Sequence, residues 1–463
     1  MARTTDRTYQ CTACEGAALQ WVGRCPHCSA WNTLAEVASP TRGANRASAH
    51  AVPLREVTGE ASLPMPTGVD ELDRVLGGGV VAGSVTLVFG PPGVGKSTLL
   101  FQVLASVAST GAPVLLASAE ESLAQVGGRA ARIASVPEHL LALEGYDVAA
   151  IEQALLCHRP ALAVVDSIQS VADNEVTGVA GSLAQVRACV ERLTRLAKAT
   201  GVPVILVGHV TKDGDLAGPR VIEHLVDTVV SFDGDRHHSL RILTAVKHRF
   251  GPTGEVGIFD MRDDGLRSVP DPGPLLLGDR MAGVPGSVVV PVLQGRRPLL
   301  VEVQALLGPG VVGSRPHTSG VDASRVTLLM AVLGCRADVD LRSAEVFVAA
   351  VGGISISEPA VDLAIAVALA SAAEGRPVPP DLVVFGELGL GGEVRTVPGS
   401  DRRLAEAARA GFSRALVPAS TPSDAVPASL SLLRARTLDE ALRAVRGDSA
   451  VTMPAWSTVA ASR

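Results

Sequence analysis

Short apolar runs alternate with stretches of helical periodicity between residues 57 and 270. Four runs rich in Val and Leu have the composition of buried strands: Ser84–Phe89, Pro113–Ser118, Ala161–Asp166 and Val202–Gly208. Three stretches between them place apolar residues at helical spacing: Lys96–Ser109, Asp147–His158 and Ser182–Thr200. Strands of parallel sheets are covered on both faces and are therefore continuously apolar. The pattern predicts an α/β domain with a mostly parallel sheet and helices on both of its faces.

The flanking segments predict further domains. Residues 1–36 form a short module with four cysteines, and residues 37–56 are mostly small and polar, as linkers are. A Pro- and Gly-rich break opens a third region, residues 271–446, which includes the Ala-rich helical stretch Ala360–Ala373. Residues 447–463 are expected to form a flexible tail. The α/β domain itself is expected to span residues 57–270.

The composition limits the class of protein. Its 463 residues, 47% hydrophobic and 19% charged, are enough for two or three domains with cores of their own. A net charge of −6 and only 3% aromatic residues leave no broad surface for nucleic acid, so any such contact must be local. The N-terminus lacks a secretory segment, and the longest apolar stretch contains Asp362 and is too short for a bilayer. We expect a cytoplasmic protein without membrane contact.

A P-loop follows the first apolar run and opens a helical stretch. Its glycines allow backbone N–H groups to curl around phosphates, its lysine reaches the β and γ oxygens, and Ser97 ligates Mg²⁺. A glycine-rich turn that matches by chance is the alternative, and the strand before and the helix after the motif argue against it. The candidate ATP-binding residues are Gly90, Pro91, Pro92, Gly93, Val94, Gly95, Lys96, Ser97 and Thr98.

Three polar residues end the other apolar runs. Asp166 fits the second acidic magnesium site of a P-loop ATPase, although an Asp that merely caps a buried strand is the alternative. Glu120 follows the strand after the P-loop helix, where RecA-like ATPases present a Glu that orients the attacking water; the adjacent Glu121 could be confused with it. His209 fits a sensor of the γ-phosphate, and a purely structural His is its alternative.

Lysine usage supports a nucleotide site. Only four of the 41 basic residues are Lys, namely Lys96, Lys198, Lys212 and Lys247. A compact ammonium approaches phosphate oxygens in a way that the planar guanidinium of Arg does not replace. Lys96, Lys212 and Lys247 all fall in motifs associated here with nucleotide, and Lys198 does not.

Four of the seven cysteines have the spacing of a zinc site. Cys11, Cys14, Cys25 and Cys28 form two CxxC knuckles separated by ten residues. Four thiolates fill the tetrahedral shell of Zn²⁺, so the metal is expected to be structural, and a redox dithiol pair is the alternative. Trp21 and Trp31 are expected to cover this small site. The remaining cysteines, Cys157, Cys189 and Cys335, are expected to be buried small hydrophobes.

The order of these motifs resembles the bacterial RadA/Sms family over nearly the whole chain. The block from Lys247 to Gly251, KHRFG, is similar to the family's KNRFG signature, with His248 in place of Asn. The resemblance implies that Lys247 and Arg249 reach across a subunit boundary to the ATP of the neighbour, where cations stabilise transition-state charge. Ordinary surface charges at a strand end are the alternative.

The third region resembles the proteolytic domain of Lon. The matching stretches include Thr318–Asp322, Gly352–Ala360 and Gly386–Leu388. Lon uses a Ser/Lys dyad, in which the lysine activates the nucleophile. The alignment puts Ala360 at the serine and Asp401 at the lysine, and residues 271–446 contain no Lys at all. The resemblance therefore implies an α+β domain that is inactive as a protease.

The family resemblance also implies a function and partners. The implied assembly is a homo-oligomer in the form of a hexameric ring. The implied activity is DNA-stimulated ATP hydrolysis that drives branch migration or unwinding on single-stranded and branched DNA. It also includes stimulation of strand exchange by the RecA recombinase. Candidate contacts to DNA are Lys212, Arg220 and Arg315. The rival functions are an ATP-dependent protease, a KaiC-like ATPase or kinase, and a nucleotide-binding scaffold without motor activity.

Overall fold

A computed structural model describes most of the chain. The described residues are 8–11, 14, 17–18, 21–31, 33–37, 63–133, 136–209, 222–234, 239–310, 315–423 and 426–447. Contacts divide the chain into two compact units, Met1–Glu60 and Ala61–Arg463. No helix in the described ranges is long and apolar enough to cross a membrane.

The first unit contains a small antiparallel sheet. Its strand order is β2-β1-β3, with β1 at Thr8–Cys11, β2 at Ala17–Ala18 and β3 at Leu34–Val37. Cys11 pairs with Leu34 in the register of β1 and β3. A bridge between Arg24 and Trp31 closes the loop that carries Cys25 and Cys28.

The second unit begins with a nine-stranded sheet in the order β12-β11-β10-β9-β4-β8-β7-β5-β6. The six strands from β9 to β6 in this order are parallel, and β10 to β12 extend the sheet in antiparallel fashion. The strands are β4 (Val85–Gly90), β5 (Val114–Ser118), β6 (Leu140–Glu144), β7 (Leu162–Asp166), β8 (Val204–His209), β9 (Thr228–Asp233), β10 (Leu240–His248), β11 (Val256–Arg262) and β12 (Gly265–Ser268).

Helices cover this sheet on both faces, as the alternating pattern predicts. Alternate residues of a strand point to opposite faces: Val88 of β4 belongs to the core under α1 and α2, and Leu87 to the core under α4 and α5. The helices of this domain are α1 (Asp70–Val75), α2 (Lys96–Ala108), α3 (Leu123–Ile133), α4 (Val148–His158) and α5 (Leu183–Thr200). The predicted α/β class with a mostly parallel sheet is confirmed.

The remainder of the unit is built on a seven-stranded sheet with the order β15-β16-β14-β13-β17-β20-β21, beside a two-stranded sheet of β18 and β19. The strands are β13 (Ser287–Gln294), β14 (Arg297–Pro309), β15 (His317–Ser319), β16 (Ala344–Ala350), β17 (Leu382–Val384), β18 (Glu387–Leu388), β19 (Val394–Arg395), β20 (Arg414–Pro418) and β21 (Ser431–Ala435). The helices are α6 (Gly273–Leu277), α7 (Ala323–Arg336), α8 (Asp362–Glu374), α9 (Ser400–Arg409) and α10 (Leu438–Arg446). The predicted α+β class is confirmed.

Helix α8 forms the centre of this core. All residues from Asp362 to Ser371 are buried, and such a helix needs apolar residues around its whole circumference. The predicted helical stretch began two residues earlier, at Ala360, but Pro359 to Val361 form a 3-10 turn instead.

Two expectations for single cysteines were wrong. Cys189 is buried, but Cys157 and Cys335 are exposed. Cys157 lies near the end of α4 and Cys335 near the end of α7. Neither is among the buried residues of its helix.

An ion pair connects the α/β domain to the seven-stranded sheet. The carboxylate of Glu71 in α1 is buried, accepts the backbone N–H of Ile258 at 2.8 Å and pairs with the Arg297 guanidinium at the start of β14. Arg297 also donates to the carbonyls of Val269 and Pro270, at 3.2 and 2.7 Å. One arginine thus joins both domains and the segment between them.

Candidate ATP site, zinc module and neighbouring groups

The predicted P-loop connects the central strand β4 to α2. Gly93 and Gly95 have φ values of 80° and 111°, in the region that favours glycine, and a Cβ on Gly90 would lie 2.0 Å from the Phe232 carbonyl oxygen. The Lys96 Nζ donates to the carbonyls of Gly90 and Pro91 at 2.9 and 3.1 Å. The ammonium is therefore held inside the loop, where phosphate oxygens can replace the two carbonyls.

Asp166, Glu120 and His209 meet at the same edge of the sheet as the P-loop. Each lies at or just after the carboxyl end of its strand, β7, β5 or β8, and these strands run parallel to β4 in the same sheet. One ligand atom from each of the three residues lies within 4.8 Å of the others. In the sheet register, Gly90 pairs with His209 and Ser118 pairs with Asp166. The fold thus brings together the predicted residues of this site.

The Glu120 carboxylate is held in its ionised form. Its Oε1 lies 3.2 Å from His209 Nε2 and accepts a hydrogen bond from the Ser167 hydroxyl. The His209 contact, followed by that of Ser167, lowers the pKa of Glu120 to about 2 against the opposing effect of burial. A carboxylate in this state accepts hydrogen bonds at neutral pH, as the orientation of a water requires.

Asp166 has the opposite shift. Burial raises its pKa, a hydrogen bond with Ser97 opposes the rise, and the charge of Glu120 adds to it. Burial lowers the pKa of Lys96, and the charges of Asp166 and Glu120 oppose this effect. Ser97 and Asp166, the two predicted ligands of Mg²⁺, thus lie close to each other, and a divalent cation would relieve the crowding of negative charge.

The structure distinguishes Glu120 from Glu121. The Glu121 Oε1 lies 3.1 Å from Arg129 Nη1 in α3, and its backbone carbonyl accepts the Ser118 hydroxyl at 2.6 Å. Glu121 therefore faces α3, and Glu120 is the glutamate that faces Asp166 and His209.

Arg241 also supports the site, and no pattern in the sequence predicted it. This buried arginine of β10 donates from Nε to the Val94 carbonyl at 3.0 Å, and so supports the P-loop from an antiparallel strand. The two residues are 147 positions apart. A single arginine in an alternating strand has no pattern that would reveal this contact. Ser167, whose hydroxyl donates to Glu120, was also missed, although it directly follows Asp166.

Lys247 and Arg249 lie at the opposite edge of the sheet from this P-loop. β4 and β9 run parallel toward the P-loop edge, and β10 runs antiparallel to β9. Lys247 pairs with Val229 and His248 with Thr228, at the start of β9, so the end of β10 is level with the start of β4. The predicted pair therefore cannot belong to the ATP site of its own chain.

Both cations have local partners at that edge. The Lys247 Nζ donates to the carbonyls of Glu223 and Val226 at 2.6 and 2.8 Å, and burial, followed by the charge of Arg249, lowers its pKa. Arg249 Nη1 lies 2.9 Å from Asp227 Oδ1. His248 points elsewhere: its Nδ1 is 3.0 Å from the Thr228 hydroxyl, and burial lowers its pKa.

The four predicted zinc ligands lie together in the first unit. The Sγ atoms of Cys11 and Cys28 are 3.6 Å apart, and those of Cys14 and Cys25 are 3.7 Å apart. Tetrahedral zinc with Zn–S bonds of about 2.3 Å requires sulfur atoms roughly 3.8 Å apart. The cysteines therefore fit Zn²⁺ with all four positions filled by protein.

The two tryptophans do not cover this site. Trp21 and Trp31 are 56% and 71% exposed. The Trp31 ring instead lies 5.9 Å from the guanidinium carbon of Arg24, whose Nε donates to the Ser29 carbonyl. The expectation was wrong because the short loop packs Trp31 over its own backbone near Gly23.

The positions aligned with the protease dyad hold Ala360 and Asp401, which cannot act as a serine and a lysine. Ala360 is buried before α8, and Asp401 is exposed in the first turn of α9. Two ion pairs, each with one buried partner, flank Ala360: Glu358 pairs with the buried Arg403, and the buried Asp362 pairs with Arg325. The charged side chains beside Ala360 are therefore paired with each other.

Two predicted DNA contacts, Lys212 and Arg220, lie outside the described residues. Arg315 is described, and its side chain is exposed beside β15. Its position leaves the guanidinium accessible to a ligand.

Comparisons with known proteins agree with this organisation. Residues 9–36 match a rubredoxin metal binding domain, residues 66–215 an AAA domain, and residues 324–421 the subunit ChlI of Mg-chelatase. Over 449 residues, the chain is 42% identical to the DNA repair protein RadA of Halalkalibacterium halodurans, covering 95% of this chain and 98% of the relative. It is 45% identical to that of Mycobacterium tuberculosis, with 97% and 96% coverage, and 42% identical to that of Bacillus subtilis, with 96% and 100%.

Proposed function

Because this chain belongs to the RadA family of bacterial DNA repair proteins, we propose that it is a DNA-dependent ATPase of recombinational repair. It would process recombination intermediates by ATP-driven branch migration or unwinding, and stimulate strand exchange by RecA. The observation that carries the proposal is the meeting of Lys96, Glu120, Asp166 and His209 at one edge of the sheet.

The proposed reaction is attack of a water on the γ-phosphate of ATP. Lys96 binds the β and γ oxygens, and Ser97 and Asp166 would hold the Mg²⁺ that neutralises phosphate charge. Glu120 accepts a hydrogen bond from the attacking water, and His209 senses whether the γ-phosphate is present. The bond between the γ-phosphorus and the bridging oxygen breaks, ADP leaves, and the water's protons pass to phosphate and solvent.

A neighbouring subunit is proposed to complete the site. Lys247 and Arg249 lie at the edge far from their own P-loop, so a ring in which this edge meets the next P-loop would place them at the neighbour's triphosphate. Cations supplied in this way stabilise charge in the transition state and link hydrolysis to ring geometry. The proposal includes a hexamer, as in the family resemblance.

DNA is proposed to pass through the ring and contact Lys212, Arg220 and Arg315. Such backbone contacts are weakly specific for sequence, and the binding constant falls steeply with salt. The C-terminal domain would act in assembly and DNA handling, since its dyad positions hold Ala360 and Asp401. The zinc module is proposed to be structural and to take part in engaging DNA or a protein partner.

The test is ATP hydrolysis with and without single-stranded DNA, combined with unwinding of forked and three-stranded substrates. Stimulation by DNA and strand displacement are expected for the parent chain, and both are lost in Lys96→Ala. Phosphotransfer to protein without strand displacement would favour a kinase, and binding of ATP without turnover would favour a scaffold. Either result would refute the motor.

A further inference from the structure

A buried carboxylate lies at the base of the far-edge cations. Asp227 directly precedes β9 and is 3% exposed. Its Oδ2 accepts the backbone N–H of Val85 at 3.1 Å, and its own N–H donates to the Val85 carbonyl at 2.9 Å. Asp227 is therefore fixed to the first residue of β4, inside the sheet.

The same carboxylate holds Arg249 at two points. Asp227 Oδ1 lies 2.9 Å from Arg249 Nη1, and the Asp227 carbonyl accepts the Arg249 N–H at 3.2 Å. The Arg249 side chain is about half exposed, and Asp227 is its only carboxylate partner in the part of the chain that the structure describes. An exposed arginine otherwise samples many rotamers, so this contact selects one direction for the guanidinium.

Asp227 also offsets the charge of the surrounding cations. Lys198 Nζ lies 3.7 Å from its Oδ1, and Lys247 is close enough that the charge of Asp227 opposes the lowering of its pKa. Three cations thus surround one carboxylate. Removal of that charge would increase their mutual repulsion and disperse the exposed side chains.

We propose that Asp227 is the positioning residue that presets Arg249, and through its charge Lys247, for the triphosphate of the neighbouring subunit. The inference rests on the proposed function, because it assumes that these two cations act across a subunit boundary. Asp227 itself would contact neither the nucleotide nor the reacting atoms. Its effect would reach only the ATP site of the neighbour.

A purely structural role makes a different prediction. Asp227 ties the starts of β4 and β9 together, but backbone pairing from Thr86–Thr228 to Phe89–Ser231 joins these strands without the side chain. If the carboxylate served only to hold β4, its loss would disturb the P-loop of its own chain. Mixing of variant subunits separates the two roles.

The decisive variant is Asp227→Asn, which keeps the shape of the side chain and removes its charge. We expect turnover to fall about 10- to 100-fold, the range that follows from misplacing a catalytic group by about 1 Å, with KM for ATP changed by less than about 3-fold. Asp173→Asn is the matched control, since Asp173 is an equally buried carboxylate that pairs with Arg192 on another face of the domain. Its turnover is expected to stay near that of the parent.

Mixed rings give the readout that a structural role would not move. Asp227→Asn subunits keep an intact P-loop, so added Lys96→Ala subunits, which keep intact far-edge cations, should restore hydrolysis above the sum of the two alone. Added Lys247→Ala subunits should restore nothing, because both partners would then have defective cations. No recovery with Lys96→Ala, or recovery with Lys247→Ala, would overturn the inference.

Two further measurements keep the outcome interpretable. A mixture of Lys247→Ala and Lys96→Ala subunits tests the shared site itself. If this mixture does not recover hydrolysis, the proposed function fails. If it recovers hydrolysis but the mixture of Asp227→Asn and Lys96→Ala does not, only the role of Asp227 fails. In a double-mutant cycle, Asp227→Asn should lower turnover much less when Arg249 is already Ala. Additive losses would show that Asp227 acts independently of Arg249.

Discussion

Arg403 should stabilise the C-terminal domain more than any exposed arginine of that domain does. It is 1% exposed and donates to both oxygens of Glu358, at 2.8 and 2.5 Å. It also donates to the carbonyls of Pro291 and Pro398, at 2.5 and 3.1 Å. The informative change is Arg403→Met, which keeps an unbranched aliphatic chain in the core and removes the guanidinium with all of these donors.

The expected cost follows from what is left behind. Breaking a buried ion pair by removing one partner costs about 3–5 kcal/mol, because the other charge stays uncompensated. The Glu358 side chain is 22% exposed and still accepts the Leu293 N–H at 2.8 Å, so the lower end applies, about 3 kcal/mol. For a domain of this size that corresponds to a Tm lower by roughly 6–12 °C.

Urea unfolding followed by circular dichroism measures this cost. Arg402→Ala is the matched control, because the adjacent Arg402 is exposed and its change should alter the free energy of unfolding by less than about 0.5 kcal/mol. Adding Glu358→Gln to Arg403→Met should recover part of the loss, since no unpaired charge then remains. If Arg403→Met unfolds within about 1 kcal/mol of the parent, the ion pair is not what stabilises this site.

Three further predictions concern the ATP site and the zinc module. Glu120→Gln should bind ATP with unchanged affinity and hydrolyse it at least about 100-fold more slowly, and unchanged turnover would reject the assignment. The folded-state pKa of Glu120, about 2, lies below its unfolded value of about 4.3, so its ionised form stabilises the fold above that unfolded value and ceases to do so as pH falls toward 2. The stability difference between parent and Glu120→Gln should therefore be constant from about pH 8 to pH 5, and a decline within that range would contradict the lowered pKa of Glu120. Elemental analysis should find one zinc per chain, lost in Cys25→Ser, while the melting of the larger unit stays unchanged; metal-free protein from chelator-free purification would refute the site.

The elements and motifs that the sequence predicted well are those defined by local pattern. The apolar runs became β4, β5, β7 and β8, because a strand covered on both faces must be apolar throughout. The zinc knuckles and the P-loop could be recognised in the sequence because their chemistry requires particular residue types at a particular spacing.

Contacts between distant parts of the chain could not be predicted. Arg241 supports Val94 across 147 positions, and Val85 contacts Asp227 across 142. Neither contact has a periodic signal, since each depends on which strands become neighbours in the sheet. The exposure of Trp21 and Trp31 was misjudged for a related reason, because the packing of a short loop depends on its detailed backbone path.

The most direct test of the central claim is ATP hydrolysis by mixtures of Lys96→Ala and Lys247→Ala subunits. Each variant alone should be inactive, and an equal mixture should recover up to roughly one quarter of parental turnover, because that fraction of interfaces pairs an intact P-loop with intact cations. Hydrolysis that stays at the level of the separate variants at every ratio would contradict a site shared between subunits.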